Sequence, residues 1–193
     1  MLHAHLAATR STCDRGPELL LDAGRHGVGA VLVREHRIIA GGYNGSPPGE
    51  PHCFELRCLG CDADWSGGFP EGTDERGFGK AEIQAGKCPK CGGELSGGHL
   101  IRGEHCVRTL HAEENALLQC ALDGTTPAGA TVYTTAGACW DCAKRFLRVR
   151  VARVVFAEPY DSRYGLSGDA MKILKRNGVQ VERLDVREAL GWK

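Results

Sequence analysis

A chain of 193 residues is long enough to bury a full hydrophobic core as one compact domain, with or without a small insert. Its hydrophobic fraction is 42%, and Lys plus Arg balance Asp plus Glu at 24 each, so no global basic excess argues for a nucleic-acid partner. No apolar run nears the roughly 20 residues of a membrane helix, and residues 1–11 lack the apolar core and cleavage pattern of a signal peptide, so no membrane partner is expected and the expected location is cytoplasmic.

In chain order, residues 1–12 can form a short helix. Residues 28–33 read as a strand and 37–42 as a second, joined by the polar turn Arg34-Glu35-His36 into an antiparallel hairpin. Residues 41–49, rich in Gly, Asn and Pro, then form a loop. From 54 to 103 glycine is dense and apolar periodicity weak. That stretch reads as an insert within a single domain spanning 1–193. Residues 111–122 place Ala112, Ala116, Leu117 and Cys120 at helical spacing. A strand at 130–135, a helix at 139–149, a strand at 153–157, a helix at 166–176 stopped by Asn177-Gly178, and a strand at 179–184 complete the chain. The order β-β-α-β-α-β-α-β implies a mixed sheet with helices on its faces.

Ten cysteines are many for a cytoplasmic chain, where disulfides are rare, so their clustering reads as metal ligation. His111-Ala112-Glu113 followed by Cys139-Trp140-Asp141-Cys142 supplies one imidazole, two thiolates and a carboxylate that need not bind metal. A zinc with three protein ligands keeps a fourth position open for water and lowers that water's pKa to about 7. This is the equipment for replacing an amino group on a base with oxygen, and the spacing resembles the zinc cytidine deaminase signature, with Ala138 where the pattern has proline. Both halves of the motif fall at expected helix N-termini, whose positive dipole ends favour thiolates.

Cys58-x2-Cys61 and Cys88-x2-Cys91 are spaced as the two halves of a four-thiolate structural zinc ribbon. Such a site could fold an insert that has no core of its own. Cys120 reads as a core thiol on the apolar face of its helix. His3, His5, His26 and His36 follow no ligand spacing and read as surface residues. Arg108, Arg145 and Arg148 are either phosphate contacts or solvated helix charges, and Trp140 either walls a pocket or packs.

The chain resembles deoxycytidylate (dCMP) deaminases and the late-competence proteins of bacteria that are similar to them. The stretches that carry the likeness are Arg10-Ser11-Thr12-Cys13, residues 28–33, Gly42-Tyr43-Asn44-Gly45 through His52-Cys53, His105-Cys106-Val107-Arg108-Thr109-Leu110-His111-Ala112-Glu113, and residues 129–143. The resemblance implies a three-layer α/β/α fold, a homo-oligomer, and hydrolysis of dCMP to dUMP and ammonia. It further implies that His111, Cys139 and Cys142 bind a catalytic zinc and that Glu113 moves protons between the water, ring N3 and the leaving amine. Asn44 would contact the sugar, and Ala112 and Tyr160 would lie against the substrate. Some relatives carry another zinc near Cys13, Cys53 and Cys106. Here those three are either its ligands, with His105, His52 or another residue as the fourth, or buried thiols packed near the first helix. Relatives also often respond to deoxynucleoside triphosphate effectors.

Three features depart from the family pattern: Ala138, about ten extra residues at 17–26, and the length and cysteine content of the insert. They keep two other readings open. One is a deaminase of another pyrimidine nucleotide, nucleoside or aminated heterocycle. The other is a nucleic-acid-binding or DNA-uptake accessory protein.

Overall fold

The computed structural model describes residues 1–13, 16–64, 87–88, 90–98, 101–102, 105–159 and 168–191. Its centre is a five-stranded sheet built from β3 (Gly29–Arg34), β4 (Arg37–Tyr43), β9 (Thr131–Ala136), β10 (Arg153–Glu158) and β11 (Gln180–Arg183). The spatial order is β11-β10-β9-β3-β4. β9, β10 and β11 are parallel, and β3 runs antiparallel to both its neighbours. Parallel neighbours need crossovers. They contain α3 (Trp140–Arg148), between β9 and β10, and α4 (Asp169–Arg176), between β10 and β11. β3 and β4 instead form a hairpin whose turn residues Glu35 and His36 both adopt positive φ, 51° and 62°, the geometry that matches strand twist in tight hairpins.

Register decides which side chains face which layer. Ala30 stands opposite both Gly42 and Thr134, so these three share a face, and Gly29 points to the other. A Cβ on Gly42 would strike the backbone of Ala112 and Ala116, in α2 (Ala112–Leu122). A Cβ on Gly29 would strike the backbone of Ala4 and Ala8, in α1 (Leu2–Ala8). The two helices therefore cover opposite faces, and both strand glycines exist because backbone meets backbone there. The α2 face holds the main core, with Leu32, Val132, Val154, Phe146 and Leu174 fully buried. This is the α/β three-layer mixed sheet expected from the sequence. No helix among the described residues is long and apolar enough to cross a membrane.

Several boundaries and elements differ from the expectations. His111 and Cys139 are the caps that precede α2 and α3 rather than their first residues. An extra hairpin, β1 (Glu18–Leu19) with β2 (Asp22–His26), occupies the stretch between α1 and the sheet. The final helix, α5 (Val186–Leu190), was also not anticipated; Asp185 caps it by accepting from the Glu188 amide at 3.0 Å. The remaining strands, β5 (Leu56–Cys58) with β6 (Leu95–Gly97) and β7 (Ile101–Arg102) with β8 (His105–Cys106), form two small antiparallel pairs in the insert and its exit.

His5 corrects the surface reading of that histidine. It lies on the sheet-facing side of α1 with Ala4 and Ala8, only 6% exposed, and among the described residues neither ring nitrogen has a hydrogen-bond partner. Burial, and secondarily the amino-terminal charge, lower its pKa below the usual value. Between that lowered value and the ordinary one, near 6.5, the unfolded chain binds more protons, so this contribution to stability is lost on acidification. His5→Leu should therefore gain stability relative to the parent as pH falls from about 7 to about 5. Urea midpoints at the two pH values test this, and an unchanged difference would refute it.

Candidate active site and thiol clusters

Two helix N-termini converge at the C-terminal end of β9. β9 ends at Ala136, and the chain turns through Gly137 and buried Ala138 to Cys139. The Cys139 sulfur accepts from the Cys142 amide at 3.5 Å and so caps α3. His111 occupies the corresponding position ahead of α2. Its Nδ1 lies 3.4 Å from Cys139 Sγ and 3.6 Å from Cys142 Sγ. Zn–S bonds of about 2.3 Å and Zn–N bonds of about 2.0–2.1 Å, arranged tetrahedrally, put S and N about 3.6 Å apart. The donor set and its spacing therefore fit one zinc ion.

Glu113 sits one helical step inside, 4% exposed. Burial pushes its carboxyl up to about 7, against the opposing pull of His111. The His111 imidazole is raised to about 9, chiefly by its hydrogen bond to Cys139, against burial. The Cys139 thiol is drawn down to about 4, first by its hydrogen bond with Cys142, then by His111. Cys142 moves the opposite way, upward, because it donates to Cys139 and is buried. The group is thus polarised toward a thiolate and an imidazolium, a pairing that a divalent cation would replace. An ion pair from Arg145 to Glu114, 3.0 Å, joins α3 to α2 behind the site.

The remaining predicted residues fall in three places. Asn44 is buried beside the first turn of the chain and heavily bonded: its Oδ1 accepts from the Val28 amide at 2.7 Å and from the Ser11 hydroxyl, and its Nδ2 donates to the Cys13 carbonyl at 3.0 Å. Ser11, the partner that fixes Asn44, was not singled out from sequence although it lies in a family-like stretch. A bridge between Gly45 and Leu110 ties the Asn44 loop to the residue before His111. Ala112 is fully buried under β4. Tyr160 lies outside the described residues.

Seven of the other eight thiols assemble as two clusters, Cys120 is buried in the main core as expected, and none of the ten cysteines forms a disulfide. Cys58, Cys61, Cys88 and Cys91 place their sulfurs within 4.8 Å of one another, with 3.4 Å between Cys58 and Cys91 and 3.9 Å between Cys61 and Cys88. A tetrahedral zinc with bonds near 2.3 Å separates its sulfurs by about 3.8 Å. Amides of Gly60 and Cys61 point at Cys58 Sγ, and that of Gly93 at Cys91 Sγ, the knuckle geometry that neutralises thiolates. Cys13, Cys53 and Cys106 form a second, buried cluster, with 3.7 Å between Cys53 and Cys106. Hydrogen bonds with Cys106 and Cys13 push the Cys53 thiol far up. Among the described residues no fourth ligand joins these three. His52 stands near them in sequence with its Nδ1 buried and unpartnered, its ring against Phe54. The His105 side chain lies outside the described parts.

Of the arginines read as phosphate candidates, two are engaged elsewhere. Arg108 donates to the Gly97 carbonyl at 3.2 Å and pairs with Glu50 at 3.5 Å, so it clamps the insert to the segment leading into His111. Arg145 holds Glu114, as described, and Arg148 is exposed. Trp140 packs against the core cluster.

The family model for the cytidine and deoxycytidylate deaminase zinc-binding region matches residues 5–158. The chain is 31% identical over 190 residues to the ComE operon protein 2 of Bacillus subtilis, covering 98% of this chain and 71% of that protein. It is 32% identical to the deoxycytidylate deaminase of Enterobacteria phage T2, covering 80% and 79%. It is 30% identical to that of Saccharomyces cerevisiae, where it spans 96% of this chain but 43% of the yeast protein. The dCMP deaminase of cyanophage S-TIM5, solved with dCMP and dUMP, superposes with a TM-score of 0.56 at 23% identity, covering 95% of this chain and 92% of that one, and so shares the fold. The chain belongs to the cytidine and deoxycytidylate deaminase family. It is an enzyme of that hydrolase class, which acts on C–N bonds.

Asn44 gives a test of how the site is held. Asn44→Ala should cost about 1–3 kcal/mol of stability, because the half-buried Val28 amide loses its acceptor and the buried Cys13 carbonyl loses one of its two donors. Equilibrium denaturation measures this, and an unchanged midpoint would show that those bonds are dispensable.

Proposed function

We propose that this chain is a zinc-dependent hydrolase that converts dCMP to dUMP and ammonia, with His111, Cys139 and Cys142 holding the catalytic ion. One observation carries the reading: two helix N-termini bring an imidazole and two thiols to the spacing of a tetrahedral centre, with a buried carboxyl two residues from the imidazole. The names of the T2 and yeast relatives support the choice of nucleotide.

A zinc ion bound there supplies Lewis acidity and makes water nucleophilic near neutral pH. Glu113 takes the proton that water releases and delivers it to ring N3. It then carries the remaining water proton to the amine nitrogen, which leaves as ammonia while the carbonyl forms. Its burial keeps competing water away from that carboxyl. Ala112 closes the wall between the imidazole and Glu113. Asn44, with its oxygen and one N–H committed, keeps one N–H for a sugar hydroxyl.

In the same reading Cys58, Cys61, Cys88 and Cys91 hold a structural zinc, and Cys13, Cys53 and Cys106 a third ion with His105, His52 or another residue as the fourth ligand. Residues 54–103 are then a zinc-ribbon-like insert in a single domain of 1–193. The enzyme works in the cytoplasm as a homo-oligomer and answers to deoxynucleoside triphosphates. A second reading, a different pyrimidine nucleotide or nucleoside as substrate, draws on the Arg108 clamp, which sets the insert beside the approach to His111.

Ammonia release from dCMP, CMP, dCTP, deoxycytidine and cytidine separates the two, and strong preference for dCMP is expected. Equal turnover of deoxycytidine would favour the second reading. Glu113→Gln should keep all its zinc and lose about 10²–10⁴-fold in kcat; full activity in that variant would overturn the proton-transfer role. Cys61→Ser should lose one zinc equivalent by elemental analysis while the catalytic equivalent stays. Retention of every equivalent would remove the ribbon site.

A further inference from the structure

The face of the sheet opposite α2 carries a cleft of about 390 Å³ that the deamination chemistry does not use. It lies between α1, the β1–β2 hairpin and α5, over the ends of β9 and β10. Its lining changes in character from bottom to rim. Leu19, Ala157 and Val186 are buried and apolar, and His5 is buried among them with both ring nitrogens unpartnered. Glu18, Glu158 and Asp185 stand exposed in the same lining.

The rim carboxylates are only partly committed to the fold. Glu18 spends one oxygen on the Gly24 amide, Asp185 one on the Glu188 amide, and Glu158 one on Arg183 at 3.3 Å. Among the described residues, each carboxylate therefore keeps its second oxygen outside these bonds. Arg187 is the one cation among the lining residues that are described. Among the described lining residues acceptors and negative charge predominate, and none of them forms a phosphate cradle. Among the described residues, His5 falls in no cluster of potential metal ligands. A neutral imidazole left unbonded in an apolar floor costs free energy that a ligand's polar atom would recover. A pocket of this volume, apolar below with a few convergent polar groups, matches the general build of small-molecule sites.

We propose that this cleft binds a small, non-phosphorylated molecule with a compact apolar body, an ammonium or amino group for the rim carboxylates, and a polar atom for His5. The site is separate from the nucleotide site and independent of which nucleotide the enzyme turns over. It is nonetheless joined to it: the Glu158 carbonyl accepts from the Gly137 amide at 2.8 Å, two residues before Cys139.

The test uses zinc-loaded protein labelled with ¹³C-histidine, in which the His5 imidazole signal is identified by its loss in His5→Leu. Benzylamine and benzoate, matched in size and opposite in charge, are titrated in parallel, with dCMP as a third probe. Benzylamine should shift the His5 signal saturably, with a Kd around 1 mM as befits so few atoms. Benzoate should not, and Glu158→Gln combined with Asp185→Asn should weaken the amine about tenfold without loss of fold. No saturable shift with benzylamine, an equal shift with benzoate, or an undiminished affinity in the double variant would each overturn the proposal. A His5 shift with dCMP at the same strength would place the cleft within the nucleotide site and overturn its separateness.

Discussion

The contact between β4 and α2 at Gly42 is the constraint on which the site depends. With no side chain between them, strand and helix backbones meet directly, and Ala112 and Ala116 are pressed against the sheet. That closeness sets the height of the first turn of α2, and with it the positions of His111 and Glu113. Leu110 is held from the other side by its bridge to Gly45. Cys139 and Cys142 come from a different element, the turn after β9. Their meeting with His111 thus measures how well the sheet holds β4 and β9 in register through β3 between them.

The thiol clusters answer a different physical need. Sulfurs 3.4–3.9 Å apart without disulfides leave either protons or a cation to balance them. In the insert the described apolar packing is slight: β5 and β6 are three residues each, and the exposed Leu59 lies between Cys58 and Cys61. Structural zinc contributes roughly 10–16 kcal/mol in small peptides, enough to stand in for a core. The buried cluster of Cys13, Cys53 and Cys106 instead joins the end of the α1 segment, the loop after Asn44 and β8, three stretches far apart in sequence.

How much of this was legible in the sequence depends on the residue. The strands at 28–33 and 37–42 announced themselves through continuous apolar runs and a polar turn, and spacing alone picked out His111, Cys139 and Cys142, whose donor atoms lie within 4.8 Å of one another. The β1–β2 hairpin did not, because Ala23, Gly24, Arg25 and His26 are exposed and show no alternating apolar pattern. His5 was misread for the opposite reason. Residue type suggested surface, but its place beside Ala4 and one turn before Ala8 put it on the packed side of a seven-residue helix. Asn44 was found as a candidate, yet its bonds to Ser11, Val28 and Cys13 join residues distant in the chain, which no local pattern reveals. Arg108 could be read only as a charge until the Gly97 carbonyl stood next to it.

The pairing of β3 with β9 closes the chain over a long span: Gly29 donates to Thr135 across 106 positions. Within that span lie the four-cysteine segment, Cys53 and Cys106 of the three-thiol group, and α2. Loop-closure entropy rises only logarithmically, by about 0.6 kcal/mol for each doubling of length. Lengthening the connection between β4 and α2 therefore adds almost nothing to the cost of assembling the sheet, provided the added segment finds its own means of folding. The place where this chain carries its cysteine-rich insert is one where sequence can be gained or shed with the central architecture intact, and a domain built this way can change its entrance without renegotiating its foundation.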